Sequence, residues 1–233
     1  MSTQIVESII DTSLHKMFMI RNEFEIGNEN NRVPSMKIIY PCKWRCDKKD
    51  DIRISEQEIR FIFTSELENE TKFEGYYSVE TPTQYKYRFE GEVEPCVDVA
   101  NKETNYSSAS VDVCVYDQKL TRVNLIEFKA YNVERFDIQK DLLKLMIESN
   151  DVCFFVHILK SKNNGTLYSL KKDKYQGVID KYIASISSIY KKYEKYINTK
   201  KIIFYIADIK QKAIEKKIIT IDDISRGDYR SLM

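Results

Sequence analysis

The stretch from residue 110 to residue 130 constrains the fold most strongly, because apolar and polar residues alternate twice around a short polar segment. Alternation of this kind is typical of half-buried strands. It predicts one strand from Val111 to Tyr116 and a second strand from Val123 to Ala130. The five residues from Asp117 to Thr121 then form the turn of an antiparallel hairpin.

Side chains alternate between the two faces of a strand. A hairpin closed symmetrically about its turn opposes three pairs on one face: Tyr116 with Val123, Cys114 with Leu125, and Asp112 with Glu127. Directly opposed Cβ atoms are about 4.5–5.5 Å apart, and two carboxylates at that separation destabilise a sheet. A divalent cation would offset the repulsion, because Mg²⁺ binds carboxylate oxygens together with water and phosphate. Lys129 follows Glu127 on the same face, near any water or phosphate that the metal holds.

Asp112 and the segment Glu127-Phe128-Lys129 resemble the metal site of the PD-(D/E)xK nuclease superfamily. The resemblance implies that Asp112 and Glu127 bind Mg²⁺ or Mn²⁺ with the backbone carbonyl of Phe128. It also implies that Lys129 orients or activates the attacking water. Val111 stands where the name of the motif has proline. The alternative interpretation is a surface hairpin that carries scattered charges.

The superfamily often aims a further acidic residue at the metal from the helix before the sheet. Ser55 and Glu58 form a capping box that begins such a helix. Glu66 lies on the apolar face of this helix and is the first candidate for the extra acid, with a catalytic role. Glu80, in a strand predicted over residues 76–81, is the second candidate, as a metal ligand. The alternative for Glu66 is a boundary carboxylate paired with a lysine or an arginine.

The order of predicted elements from residue 55 is helix, strand, hairpin, helix, buried strand, long helix and buried strand. This order predicts an α/β fold with a mixed central sheet flanked by helices. It resembles the αβββαβ core of restriction-endonuclease-like proteins, so we assign residues 55–233 to a nuclease core. Residues 1–54 are assigned to an N-terminal helical or irregular extension packed on that core. The later helices and strands are predicted at residues 137–149, 152–159, 170–198, 202–207 and 217–221.

Charge is unevenly distributed, although the formal net charge is only +1. Residues 1–159 hold 20 Lys and Arg against 28 Asp and Glu, whereas residues 160–217 hold 15 against 5. The basic segment indicates either a nucleic-acid-binding face or a solvated, lysine-rich helix. The lysines assigned to nucleic acid are Lys144, Lys181, Lys191 and Lys195. Lys144 and Gln139 are also candidates to face the active site, and ion pairing on the helix surface explains the lysine equally well.

Composition excludes several other chemistries. The six glycines are not clustered, which excludes a P-loop and a dinucleotide-binding fingerprint. Only two histidines are present, and His157, in an apolar strand, is interpreted as a core residue. Five cysteines, mostly in predicted strands, indicate reduced thiols and a cytoplasmic location. Neither a signal peptide nor a membrane-spanning segment is expected.

These features together predict a metal-dependent nuclease that hydrolyses phosphodiester bonds in nucleic acid, with DNA favoured over RNA. Phage defence, a mobile element or repair would be the setting that the resemblance implies. The alternative is a catalytically inactive module that kept the fold and binds protein or nucleic acid. A homodimer or a protein partner is expected to use the tyrosine-rich stripe of the long C-terminal helix.

Overall fold

The structure, a computed structural model, describes residues 3–30, 38, 53–90, 94–100, 102, 104–149, 151–160, 164–168 and 177–228, with the backbone alone at 21–30, 164 and 165. The helices are α1 (Thr3–Asn30), α2 (Glu56–Asn69), α3 (Arg135–Glu148), α4 (Asn164–Leu167), α5 (Val178–Tyr193) and α6 (Ile221–Arg226). The strands are β1 (Tyr76–Arg88), β2 (Cys96–Asp98), β3 (Ser107–Tyr116), β4 (Arg122–Ala130), β5 (Val152–Leu159), β6 (Lys201–Asp208) and β7 (Ala213–Thr220). A single 3₁₀ turn, Glu194–Tyr196, follows α5.

The seven strands form a sheet in the order β2-β1-β3-β4-β5-β6-β7. Strands β4, β5 and β6 are parallel, and the other neighbouring pairs are antiparallel. Helix α3 connects β4 to β5, as a parallel connection requires a crossover. The prediction of an α/β fold with a mixed sheet flanked by helices is therefore confirmed.

Helices cover both faces of the sheet. Apolar residues of α3, α5 and α6 pack on one face, and those of α1 and α2 pack on the other. Strand β4 shows the alternation, because Leu125 faces the α3 layer while Ile126 and Phe128 face the α1–α2 layer. Glu127 and Lys129 share the parity of Leu125, so they point toward α3.

Several predicted boundaries differ from the structure, because β3 begins at Ser107, β7 covers Ala213–Thr220, and α5 ends at Tyr193. Helix α1 continues to Asn30, although the apolar periodicity that predicted it ends near residue 20. Strand β1 runs through Pro82, where the sequence predicted a break, and its register with β3 shifts between Pro82 and Lys86. A proline lacks the N–H that a regular ladder needs, and an irregular register accommodates it. Residues 31–37 and 39–52 of the predicted N-terminal extension lie outside the described residues.

The glutamate at the end of α3 secures the irregular part of β1. The buried carboxylate of Glu148 accepts hydrogen bonds from the backbone N–H groups of Gln84 and Tyr85, at 2.7 and 3.0 Å. It also accepts one from the Tyr87 hydroxyl at 3.0 Å and lies 3.5 Å from the Arg122 guanidinium. A shifted stretch of strand leaves N–H groups without ladder partners, and this carboxylate satisfies two of them.

The apolar stripe of α5 lies inside the core. Its buried members are Val178, Ile179, Tyr182, Ile186, Ile189 and Tyr193. These side chains pack within the chain's own α3 layer, so the expectation of a partner surface on this stripe is corrected. Over the described ranges, no helix is both long and apolar enough to cross a membrane. Cys96, Cys114 and Cys153 carry free thiols, as the sequence predicted.

Candidate active site

The hairpin that the sequence predicted is formed by β3 and β4. Cys114 pairs with Leu125, as expected, but Tyr116 pairs with Arg122 because the register shifts next to the turn. The Asp117 carboxylate organises that turn by accepting the backbone N–H groups of Lys119 and Thr121, each at 2.8 Å. The predicted pairing of Tyr116 with Val123 is therefore wrong, because the tight turn shifts the register there. The other observed pairs of the ladder have the predicted register.

The ladder between β3 and β4 ends at the pair Val113–Ile126, one step before Asp112 and Glu127. In place of a strand partner, the Asp112 carboxylate accepts the backbone N–H of Phe128 at 2.8 Å. The N–H and C=O of one strand residue point toward the same neighbouring strand. The Phe128 carbonyl therefore points toward β3, the side on which the Asp112 carboxylate lies.

Glu127 is enclosed beneath α3. Its side chain is 3% exposed, and Oε1 lies 2.6 Å from the Lys144 ammonium. Lys144 also lies 3.0 Å from Asp141 Oδ1 and donates to the Ser110 carbonyl at 2.7 Å. Lys144 and Asp141 are one turn apart on α3, so this helix brings a cation and a second carboxylate to Glu127.

Lys129 lies beside the same helix. Its ammonium is 2.6 Å from Asp141 Oδ2 and 3.5 Å from Glu56 Oε1, at the start of α2. Glu56 also accepts the backbone N–H of Ala130 at 3.2 Å, which fixes its carboxylate against β4. Lys129 is therefore held between α2 and α3, close to the opened end of the hairpin.

Arg60 of α2 closes the other side of the site. Its guanidinium contacts Glu80 and lies 3.3 Å from Asp112 Oδ1. Glu80 has a positive φ of 48° inside β1, and its carboxylate accepts the Ser110 hydroxyl at 2.8 Å. The second candidate for the extra acid thus lies beside Asp112, although its side chain is 54% exposed.

We call the side chains joined by these contacts the charged cluster. Its cations are Arg60, Lys129 and Lys144. Its carboxylates are Glu56, Glu80, Asp112, Glu127 and Asp141. With all eight groups ionised, five carboxylates against three cations leave a formal charge of −2. One divalent cation would balance that charge.

The carboxylates of the charged cluster differ in the direction of their pKa shifts. Burial, and then the Asp141 carboxylate, raise the pKa of Glu127 well above its usual value, although Lys144 opposes the shift. Burial also raises the pKa of Asp112, while the Phe128 N–H lowers it. Burial alone would raise the pKa of Asp141, but Lys144 and Lys129 lower it below its usual value.

Lys129 remains protonated. Burial alone would lower its pKa, but the carboxylates of Asp141 and Glu56 raise it above the usual value for lysine. The same balance applies to Lys144, whose pKa the carboxylates of Glu127 and Asp141 raise against the effect of burial. Both side chains therefore act as cations at neutral pH.

The donor types are those that Mg²⁺ accepts, because Asp112 and Glu127 supply carboxylates and Phe128 a backbone carbonyl next to the end of the β3–β4 ladder. Mg²⁺ commonly takes one or two protein carboxylates and completes its shell with water and phosphate. Within the described ranges, no three His, Cys, Asp or Glu side chains are grouped to hold a metal by themselves.

Several predicted site residues lie elsewhere. Glu66 pairs with Lys16 of α1 at 2.5 Å, which corresponds to the alternative of a boundary carboxylate with a lysine partner. Lys181 donates to Asn132 Oδ1 at 2.7 Å and to the Val133 carbonyl at 2.5 Å, so it secures the segment after β4. Its predicted role as a nucleic-acid contact is therefore corrected.

Of the remaining candidates, two bind other residues inside the protein and two are exposed. Gln139 donates to the Ser188 hydroxyl on α5 at 3.3 Å, away from the charged cluster. Lys144, predicted to contact nucleic acid, is buried against Glu127. Lys191 and Lys195 are exposed near the C-terminal end of α5, which leaves them available to an anionic partner.

The sequence did not identify three members of the charged cluster: Glu56, Arg60 and Asp141. Asp141 and Lys144 stand three residues apart, a spacing that a solvated helix face shows equally often. Their burial depends on how α3 is rotated against β4, which periodicity does not specify. The position of Glu56 at the start of α2 could be predicted from the sequence, because it is the first residue of the helix that the Ser55 capping box begins.

No protein-family model matches the chain, and comparisons with curated proteins and with solved structures give no match.

Proposed function

We propose that the chain is a Mg²⁺-dependent nuclease of the PD-(D/E)xK type, hydrolysing phosphodiester bonds in nucleic acid, with DNA as the favoured substrate. One observation carries the proposal: the β3–β4 ladder ends next to Asp112 and Glu127, and Asp141 of α3 joins Lys129 to Lys144, which contacts Glu127. The strand order supports it, since an antiparallel β1-β3-β4 unit is followed through α3 by the parallel strand β5. With the three-residue strand β2 set aside, this order is compatible with the αβββαβ core that the resemblance implies.

Each residue has a distinct role in the proposed reaction. Asp112, Glu127 and the Phe128 carbonyl hold the metal, and Mg²⁺ bound there supplies Lewis acidity and a nucleophilic water. Lys129, kept protonated by Asp141 and Glu56, stabilises negative charge that develops on the phosphate. Its raised pKa favours this role over abstraction of a proton from water. Glu56 takes the place of Glu66 as the carboxylate supplied by α2.

The experiment is a cleavage assay on plasmid DNA, single-stranded DNA and RNA, with Mg²⁺, Mn²⁺ or EDTA. We expect metal-dependent cleavage by the wild type and its loss in Asp112→Asn and Glu127→Gln. Glu66→Gln is the matched control, because Glu66 pairs with Lys16 outside the charged cluster, and it should cleave at the wild-type rate. Equal rates for wild type and Glu127→Gln would refute the proposed site.

A second candidate is a catalytically inactive module that keeps this fold. The contact between Lys144 and Glu127 favours it, because a lysine then balances part of the charge that a metal would balance. Such a module would bind neither Mg²⁺ nor Mn²⁺ and would cleave none of the three substrates. Metal titration of the wild type and of Lys144 variants distinguishes the two candidates.

A further inference from the structure

The Lys144 ammonium lies in a cage of oxygen atoms. It is 2.6 Å from Glu127 Oε1, 3.0 Å from Asp141 Oδ1 and 2.7 Å from the Ser110 carbonyl oxygen. These oxygens come from β4, α3 and β3, and the Lys144 side chain is only 7% exposed. Carboxylate and carbonyl oxygens around a buried cation are also the ligand types that hard divalent metals prefer.

Lys144 does not balance the site fully. With Lys129 and Arg60 it leaves the charged cluster at a formal charge of −2 when all eight groups are ionised. A group of carboxylates that keeps excess negative charge favours a second cation or a more highly charged one. The lysine stem is long and flexible, so its ammonium can exchange a buried position for solvent.

We propose that the Lys144 ammonium holds the Glu127 carboxylate while the site contains no metal, and that a divalent cation binds Glu127 by displacing the lysine. This inference rests on the proposed function, because it takes Glu127 as a metal ligand. Lys144 then acts as an internal competitor. The apparent affinity for metal equals the affinity of the open site multiplied by the fraction of time for which the lysine leaves the site open.

Calorimetric titration with Mn²⁺ tests the competition in the wild type, Lys144→Met and Lys140→Met. Methionine keeps a flexible stem of similar length and removes the charge. If the site is open about a tenth of the time, Lys144→Met binds Mn²⁺ about tenfold more tightly than the wild type. Lys140 lies on the same helix, 5.7 Å from the Phe89 ring centre and outside the cage, so Lys140→Met should bind like the wild type.

Two results overturn the inference, and they differ in what else they overturn. If the wild type binds Mn²⁺ and Lys144→Met binds no more tightly, only the displacement by metal is refuted. If neither protein binds Mn²⁺, the metal site fails as well, and the proposed nuclease function fails with it.

A second measurement uses the wild type alone, so it does not depend on how the variant folds. Lysines are labelled with an amine-reactive ester with and without Mn²⁺, and each position is quantified by peptide mass spectrometry. Displacement predicts that Mn²⁺ increases the labelling of Lys144 several-fold and leaves that of Lys140 unchanged. Unchanged or reduced labelling of Lys144 in the presence of Mn²⁺ would contradict the inference.

Discussion

Lys129 Nζ lies 2.6 Å from Asp141 Oδ2, and this contact joins β4 to α3 at the opened end of the central hairpin. Asp141 is also 3.0 Å from Lys144, so one buried carboxylate holds two ammonium groups. The arrangement keeps Lys129 protonated and holds it between Asp141 and Glu56. Asp141 is thus a positioning residue, because it acts through the two lysines.

The first prediction concerns the stability that Asp141 supplies. Asp141→Asn should lower the free energy of unfolding by about 3 kcal/mol, because breaking a buried ion pair leaves cations without their charge partner. Asp137→Asn, on the first turn of the same helix and half-buried, is the matched control and should lower it by less than about 1 kcal/mol. Urea unfolding measures both values. Equal losses in the two variants would show that the Asp141 contacts contribute little.

The second prediction concerns Glu148. Glu148→Gln replaces an acceptor of three hydrogen bonds with a group that carries its own donors, opposite two backbone N–H groups. The free energy of unfolding should fall by about 2–3 kcal/mol, since hydrogen bonds to a buried charge are among the stronger ones. Glu68→Gln, at an exposed glutamate that accepts the Tyr77 hydroxyl, is the control. A loss no larger than that of Glu68→Gln would refute the role of Glu148 in securing β1.

The third prediction is a pH dependence of stability that comes from His157. Burial lowers the pKa of this imidazole to about 4, while Nδ1 lies 2.5 Å from the Tyr182 hydroxyl and Nε2 2.5 Å from the Tyr131 carbonyl. The unfolded chain binds a proton near pH 6.5 and the folded chain near pH 4. The stabilisation that the neutral imidazole provides is therefore fully present above pH 6.5 and is lost as the pH falls to 4. The loss in the free energy of unfolding is about 3 kcal/mol.

Buried carboxylates with raised pKa values make the folded protein more stable as the pH falls, which is opposite to the effect of His157. The effect of His157 is therefore measured as the difference in unfolding free energy between the wild type and a His157 variant. Urea unfolding of the wild type and His157→Asn at pH 7, 5.5 and 4 provides it. The stability advantage of the wild type should shrink as the pH falls. His15→Asn, at the only other histidine, serves as the control. An advantage that stays constant with pH would contradict a neutral, buried His157.

Much of the fold was predictable because strands and helices here carry regular apolar patterns. The alternation in β3 and β4 placed Cys114 opposite Leu125, and the continuous apolar run predicted β5 with its observed ends. The pattern also predicted that Asp112 opposes Glu127, but the observed ladder ends one pair before them. The Ser55 capping box predicted the start of α2, where the backbone N–H of Ser55 donates to Glu58 at 2.9 Å.

The parts that sequence did not predict depend on how elements are rotated against each other. Glu66 has the helical spacing of a core position, but that side of α2 meets α1, where Lys16 pairs with it. Asp141 and Lys181 look like solvated helix residues, since buried ion pairs and surface charges have the same spacing. Only tertiary contacts distinguish them, and these depend on the crossing angles of α3 and α5 with the sheet.

The fourth prediction separates the lysines of the C-terminal half. Replacing Lys191 and Lys195 by Gln should weaken nucleic-acid binding and reduce the slope of log K against log salt by about two, if each contacts one phosphate. Lys181→Met should leave that slope unchanged and lower stability, because its ammonium bonds Asn132 and Val133. Fluorescence anisotropy over a salt series measures the slopes. A slope that changes only in Lys181→Met would reverse this assignment.

The most direct test of the proposed nuclease function is the single-turnover rate of DNA cleavage in Mg²⁺ by the wild type, Lys129→Met and Lys140→Met. Removing one preorganised group that stabilises transition-state charge typically slows a reaction by about 10²–10³-fold. We therefore expect metal-dependent cleavage by the wild type, a loss of that size in Lys129→Met, and the wild-type rate in Lys140→Met. Absence of cleavage by the wild type, or equal rates for wild type and Lys129→Met, would contradict the account.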